Sequence, residues 1–125
     1  MEITLHFAGD VVERQELLNG TETVTLEGAS PDGWTLSGLV SWNIGLVDYT
    51  GEGDITLLRA DGAELYGTLT CGRVTESAGE HRFRLEYEID DGSGVFDGAS
   101  GTAEAVGSLS GEGFAGTWIV ALSEN

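Results

Sequence analysis

The sequence predicts an all-β chain: a single antiparallel eight-stranded barrel with little or no helix, one domain spanning residues 1–125. Three observations carry this. Apolar and polar residues alternate with period two over most of the chain. Turn signals punctuate these runs at the roughly 8–12-residue spacing of a sandwich or barrel. The final third is rich in glycine but has no helical pattern, as strands with sharp bends require.

The elements follow in order. "EITLHF" places Ile3, Leu5 and Phe7 on one face and Glu2, Thr4 and His6 on the other. "DVVERQELL", residues 10–18, fits a short helix or a twisted strand; Gly9 and Gly20 flank it closely, which favours a strand or irregular connection. "LNGT" at 18–21 reads as a tight turn, and "ETVTLEG" alternates through Val24 and Leu26. "SPDG" at 30–33 holds the sole proline, at a turn. "GWTLSGLVSWNIG" then sets Trp34, Leu36, Val40, Trp42 and Ile44 on one face. "LLRADGAEL" centres on Asp61-Gly62, a hairpin signal. "HRFRLEYEI" alternates most cleanly, with Phe83, Leu85, Tyr87 and Ile89 opposed to Arg82, Arg84, Glu86 and Glu88. Such a pattern means one buried and one wet face.

Charge narrows the possible functions. Twenty-two Asp and Glu stand against five Arg and no Lys, a net charge of −17. Phosphate contacts need a basic patch, so nucleic acid is excluded as a natural partner. An anionic membrane surface is disfavoured for the same reason. The acids are spread along the chain, as on a solvated, self-repelling surface; a halophilic source accounts for them equally well. Cys71 is the sole cysteine, so no internal disulfide forms. The opening "MEITLHFAGD" has neither a basic region nor a long apolar run. It matches neither a secretory signal nor a membrane span, and the expected compartment is the cytoplasm.

Catalytic constellations are sparse. His6 and His81 lie on different strands with no close set of ligands around them, so no metal site is expected. Ser93 sits in a glycine turn without the strand-turn-helix context of a nucleophile elbow. Arg82, Arg84, Glu86 and Glu88 read as cross-strand ion pairs on the outer wall.

"DGSGVFDGASG", residues 91–101, surrounds Val95 and Phe96 with four glycines. A phosphate-binding loop would need a following helix and a lysine, and neither is present. Eight glycines between 92 and 116 instead suggest bent strands, with Phe96 plugging one end of a small barrel. The pattern of Gly92, Gly94, Phe96, Gly98 and Gly101 resembles the glycine-phenylalanine signature of the allene oxide cyclase-like barrels. That group includes plant allene oxide cyclases, dirigent proteins and bacterial spiro-forming cyclases. The order of hairpin and strand before it is also similar, so the resemblance spans roughly residues 50–122. It implies an eight-stranded antiparallel barrel, an apolar lumen and frequent homo-oligomerisation. The glutamate, asparagine, proline and cysteine lining the lumen of the plant enzymes have no placed counterparts here, and Cys71 falls on a later strand than their cysteine.

The apolar face supplies the candidate ligand-binding residues: Trp34, Trp42, Leu65, Leu69, Cys71, Phe83 and Tyr87. Aromatic side chains that carry a polar atom suit a hydrophobic small molecule, and they equally suit a packed core. Gly38 and Gly67 on the same face suggest space for a ligand. Two functions therefore fit. In one, the lumen binds a hydrophobic small molecule and guides its cyclisation or isomerisation by holding one conformation. Tyr87, Tyr66 or a buried carboxylate then moves the proton, and no cofactor is needed. In the other, the barrel is packed solid and serves as a non-catalytic binding or assembly module.

Overall fold

A computed structural model describes residues 1–16, 21–43 and 51–123. Among these, eight strands form: β1 (Glu2–Glu16), β2 (Thr21–Ala29), β3 (Thr35–Asn43), β4 (Glu52–Leu58), β5 (Glu64–Ser77), β6 (Glu80–Ser93), β7 (Gly101–Ser110) and β8 (Gly113–Leu122). Each pairs antiparallel with its successor, and β8 pairs with β1 to close the barrel. Of the segment open to two readings, residues 10–16 are strand, since β1 runs through Val11 and Val12 to Glu16, and residues 17 and 18 lie outside the described residues. The turn expected at 18–21 and the position of Ile44 lie largely outside the described residues. No helix among the described residues is long and apolar enough to cross a membrane.

Alternation places the core. Leu5 and Phe7 of β1, Val24 and Leu26 of β2, Leu36, Val40 and Trp42 of β3, and Phe83, Leu85, Tyr87 and Ile89 of β6 are all buried. The residues between them face outward, which puts the acidic side chains of these strands in solvent with the exception of Glu22.

Two hairpins share one construction. Gly33 N–H donates to the Ser30 carbonyl at 3.2 Å, and Gly62 N–H donates to the Arg59 carbonyl at 2.9 Å. Both glycines have positive φ, 87° and 94°. A turn followed by a left-handed residue matches the twist of the flanking strands. The Asp61 carboxylate also accepts from the Ala63 N–H at 3.1 Å, which fixes the second turn.

The glycine-rich stretch forms a cap. A 3-10 turn at Gly94–Phe96 drives Phe96 into the barrel end, where it is 6% exposed, while Val95 stays in solvent. Gly92 makes the fold-back possible: a Cβ there would lie 2.4 Å from the Phe96 carbonyl oxygen. Gly94 adopts φ 63°, a conformation that favours glycine. Phe96 packs against Trp34 with ring centroids 5.9 Å apart, and the Arg59 guanidinium lies 5.1 Å from its ring centre.

Three bulges break the register. They fall at Val12 in β1, at Thr70 in β5 and near Asp90 in β6. The Thr70 bulge overturns one expectation. Leu65, Gly67 and Leu69 face the lumen, but the extra residue reverses the parity, so Gly72 and Val74 take the inward positions. Cys71 is thereby turned to the outer wall, where it borders a cleft with Arg73, Arg84 and Glu86.

Candidate functional site

The lumen is the candidate site. Trp34, Trp42, Leu65, Leu69, Phe83 and Tyr87 point into it and are buried, as alternation predicts. Tyr66 does not: it lies half-buried between inward Leu65 and Gly67, on the outer face of β5. Of the two candidate tyrosines, Tyr87 alone faces the lumen. Trp34, immediately before β3, and Trp42, near the end of that strand, sit at two depths, eight residues and so about 26 Å apart along an extended chain.

Trp118, which stands in "TWIVAL" where both faces are apolar, is fully buried and forms the hub of an aromatic cluster. Its ring centroid lies 5.6 Å from that of Phe7, 5.9 Å from Phe83 and 6.1 Å from Phe114. Phe83 in turn stacks on Trp42 at 6.1 Å and 26°. The glycines expected to leave space do not leave it. A Cβ on Gly38 would lie 2.6 Å from the Asp54 carbonyl oxygen and 2.9 Å from Ile55 Cγ2. One on Gly67 would lie 3.0 Å from Ile55 Cγ1 and 3.2 Å from Ile89 Cδ1. Isoleucine has filled both positions.

Polar groups interrupt this apolar interior at two levels. At the end that receives the β1–β2 and β3–β4 connections, Glu22 turns inward and is 4% exposed. Its carboxylate accepts from Trp42 Nε1–H at 3.1 Å and lies 3.5 Å from Arg14 Nε. Asn43, also buried, donates from Nδ2 to Thr21 Oγ1 at 3.3 Å. Glu22 was legible in principle. It has the parity of Val24 and Leu26, so period two already points it inward. Deeper in, the Tyr87 hydroxyl and Trp118 Nε1 are buried without a hydrogen-bond partner. Burial, and secondarily the Asp54 charge, push the Tyr87 phenol well above its ordinary pKa. Like any phenol it is a proton-bearing donor at neutral pH, and burial extends that state to higher pH.

Other surfaces offer less. His6 lies on the outer wall, 3.0 Å from Thr117 Oγ1, and His81 lies 3.8 Å from Glu76. Among the described residues no three His, Cys, Asp or Glu side chains converge as metal ligands would. A cleft of about 420 Å³ opens at the rim beside the Phe96 cap, lined by Val95, Phe96, Ala99 and Leu122 among others. One of about 560 Å³ crosses the outer wall over Ala8, Ala29 and Ala115.

Compared with known proteins, the chain matches no family model, no curated protein and no solved structure.

Proposed function

We propose that the barrel binds a small, mostly apolar molecule in its lumen, entering from the end that carries Glu22. The observation that carries this reading is the inward carboxylate itself. A barrel that only packs its core has no need of a glutamate turned inward beside its aromatic cluster. Burying a carboxylate is costly unless it is paired, and here the partners are Trp42 and Arg14. A polar gate above an aromatic interior suits a ligand with one polar end or one polar step in its conversion. The resemblance of the Gly92–Gly101 stretch to allene oxide cyclase-like barrels supports the same reading. It extends the proposal to cofactor-free cyclisation or isomerisation, in which the wall restrains a flexible substrate and excludes water. Entry would part the Trp42–Phe83 stack.

One observation favours the second reading, a packed binding or assembly module: the rings around Trp118 touch one another, and Ile55 fills the positions at Gly38 and Gly67. Tryptophan fluorescence separates the two. Titration with polyenes, fatty-acid derivatives and polyketide-like compounds should shift the emission, and Trp42→Phe should lose part of that shift while keeping the fold. No response across the panel leaves the packed module.

A further inference from the structure

We infer that the Tyr87 hydroxyl and Trp118 Nε1 form a deep donor site that selects ligands carrying a neutral hydrogen-bond acceptor, such as a ketone, aldehyde or ether oxygen. This rests on the lumen being a binding site and adds the class of molecule it takes. Both side chains are completely or almost completely buried, and both polar atoms lack a partner. Buried polar groups in native proteins are almost always hydrogen-bonded, so an orphan needs a reason. Two orphans in one lumen share a simple reason: both are donors, and a bound acceptor satisfies them.

The register puts the two donors on neighbouring levels of the lumen wall. Tyr87 is paired across β6–β7 with Ala103, and Trp118 across β7–β8 with Ala105. At these two levels β7 presents only the methyl groups of Ala103 and Ala105 to the lumen, with Leu109 further along the strand. The acceptor must be neutral. The lumen holds no buried cation, since every arginine is at least partly exposed. A carboxylate placed there would lose its hydration with no opposite charge in return. The Tyr87 phenol carries its proton at neutral pH and so is a donor.

Matched sets of alkane, methyl ketone and carboxylate, at equal chain lengths from hexyl to hexadecyl, test this by calorimetry and ligand-induced melting shift. The ketone should bind about tenfold more tightly than its alkane, as one or two buried hydrogen bonds imply, and the carboxylate more weakly than the ketone. Tyr87→Phe should abolish the preference for ketone over alkane. The same variant, without ligand, should melt at the same temperature as the parent or higher, because it deletes an unsatisfied hydroxyl. If ketone and alkane bind alike, or if carboxylates bind best, the donor site is overturned while the lumen reading stands. If Tyr87→Phe lowers the melting temperature of the free protein, the hydroxyl has a structural partner such as a fixed water, and the donor site is again overturned. If no member of any set binds, the lumen reading falls and the donor site with it.

Discussion

At residue scale, the glycine-phenylalanine stretch shows how far local chemistry reaches. Its composition foretells a bent cap with Phe96 inside, and the structure buries Phe96 between Trp34 and Arg59. Phe96→Ala should cost roughly 3–5 kcal/mol of stability, as other buried phenylalanines do. A loss below about 1 kcal/mol in urea unfolding would mean that the cap carries no packing load. Ala78 is legible only from the backbone. It opens the two-residue loop between β5 and β6 with φ 52°, followed by Gly79 at φ 79°. Positive φ at both positions is the turn that favours Asn-Gly, and alanine is strained there. Ala78→Asn should therefore stabilise the protein by about 0.5–1 kcal/mol, read as a higher urea midpoint with an unchanged slope. Tyr87 adds a pH dependence. Its folded-state pKa is raised above the ordinary 10.0, chiefly by burial. The folded protein thus holds this proton more tightly than the unfolded chain does. The resulting stability is complete below pH 10 and is lost as pH climbs beyond it. Alkaline unfolding should shift to higher pH in Tyr87→Phe, and an identical transition in both proteins would contradict the burial of that hydroxyl.

At the scale of elements, strand identity and inward faces were legible because alternation is a direct consequence of one wet and one dry side. Leu5, Trp42, Phe83 and Tyr87 all follow from it. The bulges were not legible, since a single extra residue leaves the pattern on either side intact while reversing which side faces in. Thr70 is such a residue, and it moves Cys71 from lumen to outer wall. Trp118 was hidden for a different reason: both faces of "TWIVAL" are apolar, so only strand pairing chooses between them. Inward glycines misled because empty space at one position is filled by the neighbouring strand, as Ile55 fills Gly38 and Gly67. The bulge has a chemical readout. Cys71 is half-buried beside Arg73 and Arg84 on the outside, so a maleimide should modify it in the native protein. Reaction only under unfolding conditions would restore Cys71 to the lumen.

At the scale of the whole molecule, the closed sheet sorts the chain into two electrostatic regions. The interior holds the aromatic and aliphatic core, with Glu22 as the buried acid among the described residues. The remaining described acids are partly or fully exposed around one small barrel, and the chain carries −17 overall. A few local pairs, such as Arg84 with Glu104 and Arg59 with Asp61, relieve little of this, because exposed pairs contribute little. Folding brings these like charges closer than the unfolded chain does, so self-repulsion opposes the compact state. Its range depends on ionic strength, with a screening length of about 30 Å at 0.01 M and about 10 Å at 0.1 M. The first length spans the barrel, and the second separates only near neighbours. The melting temperature should therefore rise most steeply as sodium chloride is added at the low end of this range, and more gently beyond it. Sucrose, which strengthens burial without screening charge, should give no such early rise. Neutralising outward pairs, for example Glu86→Gln with Glu88→Gln on β6, should reduce the salt dependence while leaving the high-salt melting temperature nearly unchanged. A melting temperature that is flat or falls on salt addition would show that the acidic wall does not destabilise the folded barrel.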